Sequence, residues 1–195
     1  RFQAADAFGG GQFRYWSMDI PNVHGTFAAV PDGWSVNGDA GATTQRCTHH
    51  GAPLVINYNG GFWDPNEYWH GTFFSLPGGN DEELLQVYGN AHVPSDGNIY
   101  HAITKSGAAA RCVPLDATSD PLNSGEGFQI VSPDGKVYTL NHMVRHYRGA
   151  LMKSSPFPVM GLLANYNLPR YEYILFPTLI ADRFGNTVTY VWSTT

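Results

Sequence analysis

Charge is scarce in this chain. Only 14% of its residues are Asp, Glu, Lys or Arg, which excludes long solvated helices laced by Glu/Lys pairs. There is no basic surplus either: 11 Lys and Arg stand against 16 Asp and Glu, a formal charge of -5, and the basic residues are scattered rather than clustered. That argues against a nucleic-acid partner. No apolar run approaches the roughly 20 residues a membrane helix needs, since even the stretch from Val159 to Ala164 is broken by Gly161. Membrane insertion is therefore not expected. Cysteines number only 2, Cys47 and Cys112, without the CxxC spacing of a zinc site or redox dithiol. One disulfide is the economical reading, against the alternative of two separate buried thiols. A bond between them would close a long loop, worth roughly 4 kcal/mol in the chain-entropy model, and would imply an oxidising compartment.

What the chain has in quantity is punctuation and rings. Gly and Pro number 22 and 13, and 14% of residues are aromatic, a composition suited to short strands and tight turns. Strands are expected over 13–20, 25–30, 54–58 and 68–76, with Pro31, Asp32 and Gly33 as a turn and 37–46 as a small, polar loop. Residues 104–111 and 116–125 read as loops around a strand containing Cys112. Two intervals have some helical character. NDEELLQVY (80–88) has capping and acidic residues at its amino end but reads almost equally well as a strand. LNHMVRHYRGALMK (140–153) places Met143, His146 and Tyr147 at helical spacing, with Gly149 as an interruption.

Two tight turns give the clearest local structure. In FQIVSPDGKVYTL, alternation through Phe128 and Ile130 meets Pro133, Asp134 and Gly135, then resumes from Val137 to Leu140. In ADRFGNTVTYVW, Gly185 and Asn186 separate a strand over 174–180 from one in which Val188, Tyr190 and Trp192 share a face and Thr187, Thr189 and Val191 share the other. The expected fold is all-β, with antiparallel hairpins and meanders forming a sandwich or an incomplete barrel and at most one or two short helices. The chain divides into a β-rich region over 1–122 and a hairpin region over 123–195, or forms one continuous domain.

These stretches carry a resemblance. GEGFQIVSPDGKVYTL (125–140) and FPTLIADRFGNTVTYVW (176–192), with weaker support from WHGTFFSLPGG (69–79) and RCVPL around Cys112, resemble the lead-in that precedes the repeats of bacterial Rhs/YD-repeat proteins. The resemblance covers about residues 60–195. In that family the repeats coil into a hollow β-shell that often encloses a toxin. The resemblance implies a secreted, extracellular or cell-surface bacterial location. It also implies a non-catalytic structural and assembly role, with edge pairing to the continuing polypeptide or to neighbouring subunits. No YD repeats, paired-acid cleavage element or toxin are present in the chain, so encapsulation is not assigned to it. A start at Arg1 without a leader, and an end at Thr195 where repeats would begin, read as a fragment or a processed product.

Chemistry-bearing residues do not assemble into a signature. His142 and His146 are four apart, but Met143 stands where the base of HExxH would be Glu. A metal site built from His49 or His50 with His70, His92, His101 and Asp64 or Glu126 stays open on sequence alone, although scattered histidines are the plainer reading. No G-x-S-x-G elbow or ordered Ser, His and Asp set is found, and nothing brings Glu67 and Glu126 to one cleft as a glycosidase requires. Gly9, Gly10 and Gly11 follow no strand and open no helix, so they are no phosphate loop. The remaining candidate is FWDPNEYWHG. Its Trp63, Tyr68 and Trp69, beside Asp64 and Asn66, are the residue types of a glycan site, against the alternative that the rings fill a core. No cofactor is expected, and neither is an enzyme.

Overall fold

The structure is a computed structural model that describes residues 19–29, 34, 45–49, 51–89, 92–119, 125–154 and 165–193. Residues 13–18 of the strand expected over 13–20, the 31–33 turn, most of the 37–46 loop, His50 and the Gly9 to Gly11 run lie outside the described residues, and residues 19 and 20 are not strand. In chain order the strands are β1 (Asn22–Ala28), β2 (Ile56–Tyr58), β3 (Gly61–Trp63), β4 (Thr72–Ser75), β5 (Glu82–Glu83) and β6 (Leu85–Gln86). They continue with β7 (Ala102–Ile103), β8 (Ala109–Pro114), β9 (Glu126–Val131), β10 (Val137–Ser154), β11 (Asn165–Ala181) and β12 (Thr187–Thr189). A single helical turn, α1 (Pro65–Tyr68), follows β3.

Ten strands form one antiparallel sheet in the order β5-β4-β1-β11-β10-β9-β8-β7-β6, with β12 added on β11. The two ends of that order, β5 and β6, are successive pieces of chain joined by Leu84. The polypeptide thus bends one sheet edge onto the other and nearly closes a barrel. Leu84 N donates to Thr72 O at 2.8 Å on one side, and Val87 N donates to His101 O at 3.0 Å on the other. This is why 80–88 holds two short strands and no helix. Backbone groups that a helix would keep to itself are the ones that join the two edges. The second helical expectation fails for a similar reason. Residues 137–154 are the long β10, paired to β11 along most of its length, and Gly149 (φ 81°) lies in the bulge between Tyr147 and Ala150.

Period-2 burial fills the barrel. Val23 and Phe27 on β1, Phe128 and Ile130 on β9, and Leu140 and Leu175 on the central pair are fully buried. Trp34 stacks on Phe27 at 4.6 Å between ring centres. Where β10 and β11 run on past the barrel, the small β2–β3 sheet and α1 cover one face of the ribbon, burying Ile56, Trp63, Tyr68 and Leu168 with Ala28 as a second core. The main sheet takes strands from both sides of residue 122.

Gly127 marks a close approach in the sheet. A Cβ there would lie 2.8 Å from Asn141 Cα, Asn141 Cβ and Leu140 O, and backbone cannot yield as a side-chain tip can. Gly127→Ala is expected to destabilise the fold by about 1–3 kcal/mol. A urea midpoint equal to that of the parent chain would disprove this crowding.

Candidate functional site

Both sequence-predicted turns form, and their chemistry is local. Gly135 (φ 83°) donates through its N–H to Ser132 O at 2.9 Å, next to Pro133. The Asp134 carboxyl is pulled down to about 2, first by its hydrogen bond from Lys136 and then by that from Ser132. In the second turn Gly185 has φ 88°, and Asp182 accepts from Phe184 N at 2.8 Å, Asn186 N at 2.9 Å and Asn186 Nδ2 at 2.7 Å. These bonds, the Asn186 side chain foremost, hold the Asp182 carboxyl below the usual range.

The second turn launches a short strand with every residue exposed. Among the described residues β12 pairs with β11 alone, and all three of its residues are exposed. Asn186 O accepts from Asp182 N and Tyr190 N donates to Thr178 O, so by antiparallel alternation the N–H and C=O groups of Thr187 and Thr189 point away from β11. Beside this free edge, Phe184 is 76%, Val188 55% and Val191 92% exposed. Beyond β12 the chain is tied down. The Trp192 indole lies parallel to the His142 ring at 4.8 Å and 5.2 Å from the Phe176 ring, and its Nε1 donates to Pro177 O at 2.8 Å. Tyr190 continues the stack at 6.3 Å from Trp192. His142 is buried, with Thr118 Oγ1 3.0 Å from its Nδ1, and burial pushes the imidazole below its ordinary value against the opposing pull of Asp116.

The five residues of the glycan candidate do come together, as a lid on the second core. Trp63 and Tyr68 are buried and Trp69 is half-buried. Asp64 caps α1, accepting from Asn66 N at 3.0 Å and Asn66 Nδ2 at 2.7 Å. Lys153 reaches across from β10, 4.4 Å from the Trp63 ring centre, and donates to Glu67 at 2.8 and 3.0 Å. Burial raises the Tyr68 hydroxyl, which donates to Leu54 O. The rings of Trp63 and Tyr68 present little face to solvent, and the two short polar side chains are occupied by the cap.

His49, His70, His92 and His101 are not brought together with Asp64 or Glu126 as a metal-holding group. Among the described residues, no group of three or more His, Cys, Asp or Glu side chains is arranged to hold a metal ion. Glu67 accepts from Lys153, whereas Glu126 accepts from Cys47 and Thr48, so the two acids have different partners.

Cys47 and Cys112 form a disulfide, S–S 2.11 Å. Beside it stands an arrangement the sequence did not reveal. Glu126 on β9 accepts from Cys47 N at 3.0 Å, Thr48 N at 2.8 Å and Thr48 Oγ1 at 2.5 Å. Arg46, one residue earlier, is 1% exposed. Burial lowers its guanidinium to about 10, while Tyr173 and Glu126 act in the opposite direction. Glu126 lies 78 positions from Thr48, a separation at which no local pattern can signal a contact. Comparison with family models, curated proteins and solved structures finds no match for this chain.

Proposed function

We propose that this chain is a framework and assembly module of a secreted, Rhs/YD-repeat-like bacterial protein, which extends its sheet by pairing the open edge of β12 with another β-element. The observation that carries the reading is the contrast between two edges. The barrel brings its two end strands together by running β5 straight into β6, whereas β12 turns the N–H and C=O groups of Thr187 and Thr189 outward beside exposed Val188, Val191 and Phe184. Unpaired backbone of this kind is a template for an added strand, and neighbouring apolar side chains supply area to bury with it. The lead-in resemblance of 125–140 and 176–192 points the same way, because those segments build the β9–β10 and β11–β12 hairpins.

The test is sedimentation over a range of concentrations together with amide exchange. Pairing predicts self-association, slow exchange at Thr187 and Thr189, and at least a tenfold weakening by Thr189→Pro, which removes an outward donor at the edge. A monodisperse monomer with rapidly exchanging amides at these positions would sink the reading.

A further inference from the structure

The outer face of the barrel carries a cluster with the parts of a nucleophilic centre. His24 on β1 lies diagonally across from Ser75 on β4, since Asn22 faces Ser75 and His24 faces Phe73. Glu172 on β11 faces Thr26, which puts it diagonal to His24 on the other side. Their chain neighbours Val23, Phe74 and Tyr173 are buried in the core, so alternation turns these three side chains outward. Ser75 Oγ is 3.1 Å from His24 Nε2, and His24 Nδ1 is 3.7 Å from Glu172 Oε1. Arg148 Nη2 holds the other Glu172 oxygen at 2.5 Å. The His24 side chain is 22% exposed and that of Glu172 13%, so both are shielded yet reachable.

We propose that Ser75, His24 and Glu172 form a nucleophile, a base and an orienting acid able to accept an acyl group from an activated ester. This goes beyond the framework role and adds chemistry to it. Glu172 facing Nδ1 favours the proton on that nitrogen, which leaves the Nε2 lone pair to accept the Ser75 proton once the hydroxyl turns away from Asp81. The Nδ1 separation is that of an ion pair and tightens as the imidazolium forms. Ser75 Oγ attacks the acyl carbon while its proton passes to His24 Nε2. The ester C–O bond then breaks, and His24 returns the proton to the departing oxygen. Water, deprotonated by the same nitrogen, adds to the acyl carbon and releases Ser75, which regains its proton.

One neighbour opposes this. The Ser75 hydroxyl donates to Asp81 Oδ1, and Asp81 Oδ2 lies 3.6 Å from His24 Nε2. The proton must swing from carboxylate to imidazole before attack. Weakening that competing acceptor should therefore help. Because the site lies on a sheet face, solvent must meet the developing oxyanion, which restricts substrates to esters with good leaving groups.

The probe is p-nitrophenyl acetate with the purified chain, read by p-nitrophenolate release and by peptide mass spectrometry. Expected are an acetyl group on Ser75 and at least about a tenfold loss of protein-dependent rate in Ser75→Ala. A smaller loss is expected in Glu172→Gln, and a gain in Asp81→Asn. The mass spectrum of the parent chain decides even where a variant fails to fold. Acetyl groups found only on lysines or tyrosines overturn the proposal, as does a Ser75→Ala rate equal to the parent's. Release no faster than that from free imidazole at equal concentration overturns it too.

Discussion

Replacing both Cys47 and Cys112 with Ala is expected to lower the unfolding free energy by roughly 4 kcal/mol. The bond closes a loop of 65 residue steps, and the loop-closure entropy removed from the unfolded chain by a cross-link of that length has about this size. At the slope usual for a chain of this length, the melting temperature should fall by roughly 8–16 °C. The folded side of the balance points in the same direction. Cys47 is fully buried and joins the main core, and Cys112 sits on β8 opposite Phe128. The bond therefore fastens the 45–49 segment to the wall of the barrel. Calorimetry of the double variant checks the figure, and a loss under about 1 kcal/mol would mean that the loop is already constrained in the unfolded chain.

Local chemistry was legible in the sequence and long-range chemistry was not. The turns at Pro133 to Gly135 and at Gly185 to Asn186 could be read directly, because φ > 0 and side-chain bonds to backbone within four residues are written into neighbouring letters. The all-β class followed from the same punctuation. The Cys47–Cys112 disulfide was the economical reading and it forms, but only the fold brings together sulfurs 65 positions apart. Where helical spacing misled, at 80–88 and 140–153, the deciding term was sheet closure and the β10–β11 ladder. Both are tertiary hydrogen bonds to partners that no short window contains. Trp63, Tyr68 and Trp69 illustrate a different limit. Flat rings beside short polar groups are the right materials for a glycan site and for a capped helical turn over a core, and the letters do not say which. Ser75, His24 and Glu172 lie on three strands and never share a motif.

Glu126 offers the sharpest test of how the loop and the barrel are joined. Its side chain takes three hydrogen bonds from Cys47 and Thr48 and lies near the buried Arg46 guanidinium. Removing the acceptor leaves two backbone donors in a shielded place, and it also takes away a counter-charge of an arginine that is 1% exposed. Each unsatisfied donor costs about 1–3 kcal/mol, and stripping a partner from a buried charge costs about 3–5 kcal/mol. Glu126→Ala should therefore destabilise by at least about 3 kcal/mol. Glu126→Gln, which keeps one acceptor oxygen but not the charge, should fall between it and the parent chain. Because carboxylate and disulfide fasten the same short segment at Cys47, their losses should not add. Once the disulfide is gone the loop can move away, and Glu126→Ala should then cost less, by about 0.5–3 kcal/mol in a double-mutant cycle. Strict additivity in chemical denaturation would mean that Glu126 and the Cys47–Cys112 bond stabilise separate parts of the molecule.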